Sequence, residues 1–256
     1  MKIGIISDTH CGSTTGLTLS PVNDTQKKLL EVYQSDMEWM GKVDIAIHVG
    51  DIIDGEDLKS RDTTSGDIAD QVKDVVALWK LMRAKEYMLI AGTPYHTNSG
   101  AQSWDKGVVD QLNEWKKNSA SYHTKLKLQV KDWFYLQARH KVGSSGIPHG
   151  RFTSPARSKT WDAVNAAIKA NATGETVHLA NLLVFGHIHY WTYAEDAQGA
   201  ACTMPCYQAL GGKYGNMMCD GHVDIGCLKI EVGEKGEWSW EKRIHQPSMV
   251  SRTVHR

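Results

Sequence analysis

Two short stretches pair one chelating residue with another two positions on: Asp8-Thr9-His10 and His187-Ile188-His189. Each follows an apolar run, "KIGII" at 2–6 and "LLVF" at 182–185. Asp51 and Asp54 follow "VDIAIHV", 43–49, in Gly50-Asp51-Ile52-Ile53-Asp54, and His140 directly follows "WFYLQAR", 133–139. Carboxylates and imidazoles without cysteine suit borderline divalent ions, Mn²⁺ foremost, then Zn²⁺, Fe or Ni²⁺. Burying so many ionisable groups without a compensating cation is costly. Period-two spacing places both side chains of each pair on one side of an extended segment. Asp8, His10, Asp51, His140, His187 and His189 are too many ligands for one tetrahedral site, and they suit two ions sharing a carboxylate. Two ions roughly 3.5–4 Å apart can hold the attacking and leaving oxygens of an in-line displacement at phosphorus, and bound water whose pKa falls to about 7 supplies hydroxide.

The elements that must position these residues alternate in the first half of the chain. Strands are expected at 2–6, 43–49 and 87–91. Between and after them come helical spacings: Leu29, Leu30, Tyr33, Met37 and Met40 behind an Asp24 cap; Ile68, Val72, Val75, Val76, Trp79 and Met82; then Trp104, Val108, Leu112 and Trp115. Strand–helix alternation implies parallel pairing and an α/β architecture, in which ligand sites lie beyond the carboxyl ends of strands. The second half is expected to hold strands at 133–139 and 182–185. Between them runs a helix capped at Ser154-Pro155, with Trp161, Val164 and Ile168 on one face. Strand-like pieces near 190–194, 200–208, 222–232 and 237–244 suggest a mostly antiparallel second sheet.

A length of 256 residues suits a single domain spanning 1–256. Lys plus Arg and Asp plus Glu number 29 each, so no global field draws nucleic acid or anionic lipid. No apolar run approaches a membrane span. Five cysteines at 11, 202, 206, 219 and 227 have no disulfide or zinc-finger spacing, and read as reduced thiols in a cytoplasmic protein.

Asp8-Thr9-His10, Gly50-Asp51-Ile52-Ile53-Asp54, a histidine after a middle strand, and Gly186-His187-Ile188-His189, in that order across residues 8 to 189, resemble the calcineurin-like metallophosphoesterase superfamily. The resemblance implies a four-layer α-β-β-α sandwich, two mixed sheets flanked by helices, with two metals at the strand ends. It implies that Asp8, His10 and His189 hold one metal, that His140 and His187 hold the other, and that Asp51 bridges. The family has a Gly-Asn-His motif after the third strand; here "AGTPYHTN", 91–98, puts Thr93 where the ligating Asn is expected and His96 three residues later. Thr93 is therefore the expected stand-in ligand, with Asn98 as the alternative. His96 is the expected proton donor to the leaving group, oriented by Asp54. His149 and Arg151, in the loop after His140, are expected to contact substrate.

The expected activity is phosphodiester hydrolysis, since the short second half offers no obvious cap over the site. The phosphate ester could be a nucleotide or nucleic acid: a nuclease is the sharpest variant, since the motifs resemble those of DNA-repair exonucleases and Lys116, Lys117, Lys125, Lys127 and Lys131 form a local basic run. A DNA exonuclease or another nuclease of the same superfamily is the alternative activity. A catalytically weakened binding scaffold is the competing class, because "GTPYH" departs from the family motif.

Overall fold

The computed structural model describes residues 1–56, 63–97, 103–145, 147–211 and 223–245. Asn98, Cys219, His222 and His255 lie outside the described residues. The chain builds two mixed sheets. The first has strands β1 (Lys2–Ile6), β2 (Ile45–His48), β3 (Glu86–Ile90), β4 (Ala120–His123), β10 (Ile225–Val232) and β11 (Trp238–His245), in the order β11-β10-β1-β2-β3-β4. The second has β5 (Leu126–Lys131), β6 (Phe134–Arg139), β7 (Leu182–Phe185), β8 (Thr192–Asp196) and β9 (Gly199–Thr203), in the order β5-β6-β7-β9-β8. The α-helices among the described residues are α1 (Asp24–Met40), α2 (Ile68–Lys80), α3 (Pro94–Thr97), α4 (Trp104–Trp115) and α5 (Thr153–Thr173).

Alternation along β1 and β2 explains the layers. Ile3, Ile5, Ile45 and Ile47 point inward and meet Leu136, Leu182 and Val184 of the second sheet. The other face, with Ile6 and Ala46, packs on Tyr33 and Met37 of α1, Val72 and Trp79 of α2, and Val108 and Leu112 of α4. Helix α5 covers β7, β8 and β9 on the far side. This is the expected four-layer α-β-β-α sandwich. β1, β2, β3 and β4 pair in parallel, as do β6 with β7 and β7 with β9. The carboxyl ends of β1, β2 and β3, and of β6 and β7, therefore gather on one edge of the sandwich.

Four expectations are corrected. The strands at 225–232 and 238–245 belong to the first sheet, where β10 lies antiparallel to β1, and the second sheet is mixed rather than mostly antiparallel. β5 was hidden in the lysine run: its inward Leu126 and Val130 are buried while the alternating Lys127 and Gln129 are exposed. The α1 cap is Asn23, whose side chain accepts the Gln26 N–H at 2.9 Å, rather than Asp24. Helix α5 begins at Thr153, and Trp161 and Ile168 turn outward, 57% and 60% exposed; the helix buries Ser154 and Pro155 instead.

Candidate metal centre

The expected ligands sit where strands end. Asp8 and His10 follow β1, Asp51 follows β2, His140 follows β6, and His187 and His189 follow β7. The segments carrying the paired ligands are not extended. Asp8, His10, Asp51, His187 and His189 have φ values of 51°, 43°, 48°, 78° and 58°. Left-handed backbone at a non-glycine residue costs of order 1–3 kcal/mol and persists only where its surroundings over-determine it. Here the strand pairing continues into the turns: Asp8 N–H donates to Gly50 O, His10 N–H to Asp51 O, and Cys11 N–H to Ile52 O, each at 3.1 Å. Successive turns, rather than an extended pleat, bring both members of each pair to one site.

Three glycines make room. A Cβ on Gly50 would strike the His140 ring, one on Gly92 would strike Asp51, and one on Gly186 would strike Ser7, the Val49 carbonyl and His140. The glycines before Asp51, Thr93 and His187 are thus a condition of close packing between the strand ends.

The side chains converge in overlapping groups. Ligand atoms of Asp8, His10 and His189 lie within 4.8 Å of one another, as do those of Asp51, His140 and His187, and those of His10, Asp51 and His96. Asp8 Oδ1 is 3.2 Å from His189 Nε2 and 3.9 Å from His10 Nε2. Asp51 Oδ2 is 3.0 Å from His140 Nε2. Asp8 also accepts the Ser7 hydroxyl and, at 3.1 Å, the His187 N–H.

Electrostatics and orphaned atoms test whether cations fit. Burial opposes ionisation of Asp8 and Asp51, yet the imidazoles of His189 and His140 beside Asp8, and of His140 beside Asp51, hold both carboxylates well below their usual range. Burial likewise opposes charge on His140, but Asp51 and Asp8 push its pKa up to about 9. His140 Nδ1 meets the Val49 carbonyl at 2.6 Å, which commits that nitrogen as a donor. Its Nε2 is buried and near Asp51 without the alignment of a hydrogen bond, and both ring nitrogens of buried His10 lack partners. Buried polar atoms are normally satisfied. Carboxylate oxygens and imidazole nitrogens gathered this closely beside two ionised carboxylates are satisfied by divalent cations, which would take one nitrogen of His10 and displace the proton of His140, so the residues fit the expected ions.

Thr93 donates its N–H to Asp51 Oδ1 at 2.6 Å, and its hydroxyl stands 3.1 and 3.3 Å from the two Asp51 oxygens. His96 sets its Nδ1 on the Asp54 carbonyl at 2.6 Å, with the Asp54 carboxylate 3.8 Å away and the His10 ring edge-on at 4.6 Å. Burial and then His10 hold the His96 pKa below that of an ordinary imidazole. His149 is exposed in the 148–150 turn. Arg151 lays its guanidinium 4.6 Å over the ring of Tyr190, the residue after His189. Neither belongs to the three ligand groups.

Residues missed from sequence form the supporting layer. Cys206, fully buried, hydrogen-bonds His189. Asp105 is completely buried on α4, accepts the Gly92 N–H at 3.2 Å, and is pushed by burial up to about 7. A signal for Asp105 existed: it is a carboxylate on the helix face that carries Val108, Val109 and Leu112.

The layers are those that the resemblance to calcineurin-like metallophosphoesterases implied, and the residues expected as ligands stand at the strand ends. Among solved structures the chain is similar to an archaeal phosphodiesterase, at 16% identity over 96% of this chain and 100% of that one, with a TM-score of 0.45. It is similar to Vps29 of Cryptosporidium parvum, at 10% identity over 96% and 97%, with a TM-score of 0.45. It is also similar to Vps29 complexed with Zn²⁺ from Entamoeba histolytica, at 11% identity over 95% and 99%, with a TM-score of 0.40. No family model matches the sequence, and no curated protein matches it. Likenesses this distant leave the reading of the site to its own residues.

Proposed function

We propose that the chain is a two-metal phosphoesterase acting on phosphodiesters. One observation carries this reading: two triads of carboxylate and imidazole, linked through His10 and Asp51, converge at the strand ends, with His189 and His140 set against the carboxylates of Asp8 and Asp51 at 3.2 and 3.0 Å. Two divalent ions bound there, manganese by preference, supply Lewis-acid charge and an activated water for in-line attack on phosphorus. Asp8, His10 and His189 would hold one ion, His140 and His187 the other, with Asp51 between them. Thr93 steadies Asp51 through its N–H and hydroxyl. With its Nδ1 committed to the Asp54 carbonyl, His96 has Nε2 left to carry a proton to the leaving oxygen. Its lowered pKa makes it a readier donor but leaves fewer molecules protonated at neutral pH, so activity is expected to favour mildly acidic conditions.

The test is reconstitution. Metal-free protein supplied with Mn²⁺ should hydrolyse bis-p-nitrophenyl phosphate and bind two equivalents of metal. Inactivity with each of Mn²⁺, Ni²⁺, Zn²⁺ and Mg²⁺ would refute the hydrolase. The exonuclease variant predicts that labelled DNA is digested under the same conditions, and intact DNA removes it.

A binding scaffold is the second reading. Its support is Thr93, whose donors occupy lone pairs of Asp51 that the second ion needs. One equivalent of metal without turnover would favour it. A cytoplasmic location belongs to either proposal; among the described residues no helix is long and apolar enough to cross a membrane.

A further inference from the structure

We propose that the cavity beneath α5, on the outer face of the second sheet, is a binding site for inorganic phosphate, separate from the metal centre. The cavity holds about 60 Å³, room for one tetrahedral oxyanion in place of a few waters. Its walls include Lys125, Gln137, Arg139, Ser158, Trp161 and Asp162.

The cavity has a donor side and an acceptor side. Arg139 is positioned by two contacts: its guanidinium lies 5.1 Å over the Phe185 ring and reaches Ser158 Oγ at 3.3 Å. Arginine's planar fork suits phosphate oxygens. Lys125 is pulled below an ordinary lysine by partial burial and then by the neighbouring charges of Lys127 and Arg139, against the opposing pull of Asp162. An anion among these cations relieves that repulsion.

On the acceptor side Gln137 is buried, and its Nε2 donates to Asp162 Oδ1 and Oδ2 at 3.2 and 3.3 Å. That contact sets the amide's orientation and leaves Oε1 buried without a partner. Asp162 also accepts the Ala180 N–H at 3.4 Å. A ligand matching both sides must carry negative oxygens for Lys125 and Arg139 and an O–H for the Asp162 carboxylate, which Gln137 holds in place.

Those demands select among oxyanions. Inorganic phosphate keeps an O–H in both of its neutral-pH forms. Sulfate has none. A phosphate monoester gives up its last O–H near pH 6, so at neutral pH it meets the acceptors mostly unprotonated.

The site is tested on full-length protein stripped of metal, so that no cation at the strand ends draws phosphate there. Titration with inorganic phosphate at neutral pH, followed by ³¹P line broadening and by the fluorescence of half-exposed Trp161, should saturate. Sulfate and phenyl phosphate should each bind about tenfold more weakly or worse, as the loss of a hydrogen bond to the Asp162 carboxylate requires. Arg139→Met, at an exposed position that tolerates substitution, and Gln137→Leu should each weaken phosphate by about tenfold. Trp161→Phe should remove the fluorescence change and keep the ³¹P signal, and His187→Ala should alter neither. Sulfate binding equal to phosphate, undiminished binding in both Arg139→Met and Gln137→Leu, or no saturable binding would overturn the proposal. Tighter binding of phenyl phosphate would reassign the site to monoesters and overturn it equally.

Discussion

The two ligand groups of the centre use the same chemistry and are held differently. Asp8, His10 and His189 are all buried, and Asp8 is fixed from three sides by Ser7, the His187 N–H and His189. In the second group Asp51 and His140 are buried, but His187 is half-exposed, and Thr93 donates to the Asp51 carboxylate from the solvent side of the strand end. A ligand set on rigid, buried turns loses little entropy on binding an ion. One with a competing donor and an imidazole only half-buried binds a cation against both. The first position is therefore expected to hold metal longer under chelation, and equal ligand counts do not make equal sites.

The largest break in this comparison comes from Asp51, which belongs to the second group and also clusters with His10 of the first. Asp51→Asn removes a charge that touches two of the three ligand clusters, and should empty the second position and loosen the first. Diester turnover should fall by about 10³-fold or more, the several kcal/mol a Lewis-acid pair contributes, with metal content read by elemental analysis. Full activity with two bound ions would contradict the bridging role. Next in size is His96→Gln. Loss of a general acid is worth about 10²–10⁴-fold, and the loss should appear with a diester whose leaving group is a poor one and nearly vanish with p-nitrophenolate. An equal loss on both substrates would mean that His96 acts on structure rather than on the leaving oxygen.

How far these residues could be read from the sequence follows the same divide between positions and surroundings. The clustering of the six chelating residues at the strand ends was legible because such residues at the ends of apolar runs are hard to explain otherwise. The strands themselves were legible wherever burial is two-sided, as in "KIGII". β5 was not, because a one-sided edge strand spends its outward positions on lysine, and charge concealed the alternation of Leu126 and Val130. The sheet membership of β10 was also out of reach: a strand 219 positions after β1 finds its antiparallel partner through tertiary pairing, Lys2 with Glu231 to Ile5 with Leu228, that no local pattern announces. Nor did residue types reveal the left-handed turns. Asp8 and His10 were expected on one pleat face, and they meet through positive φ instead, because the β1–β2 ladder continues into the loops.

A smaller effect sharpens the comparison by repairing the looser site. Thr93→Asn exchanges a hydroxyl that donates to Asp51 for an amide oxygen that can face the second ion. The affinity of the second position should rise by about 10-fold, within the range by which neighbouring groups tune metal sites, while the first position stays as it was. Sequential release under a graded chelator series reads both. If the two ions leave together in wild type and variant alike, the asymmetry between the groups is not real.

The smallest expected effect is on the stability of the metal-free chain, and its sign can be worked out. Burial disfavours the charged form of His140, yet Asp51 and Asp8 raise its pKa to about 9, above the usual 6.5. A raised pKa means that the folded chain holds the proton more tightly than the unfolded one, so this contribution is complete below 6.5 and drains away as pH climbs toward 9. Asp8 and Asp51 are displaced downward, so theirs is complete above 3.8 and is lost on acidification. Metal-free protein should therefore melt at a falling temperature between neutral pH and about 9, by a few degrees per kcal/mol lost. His140→Gln should flatten part of that alkaline fall, leaving the share of His189, which, against its burial, Cys206 and Asp8 raise. It should weaken the acid side too, because His140 helps hold Asp51 and Asp8 down. Bound divalent ions take over the role of the His140 proton, so the loaded protein should show a shallower alkaline fall than the stripped one. A flat melting profile for stripped wild-type protein across this window would mean that His140 is neutral beside Asp51, and that the second ligand group is preorganised for its ion without a proton to displace.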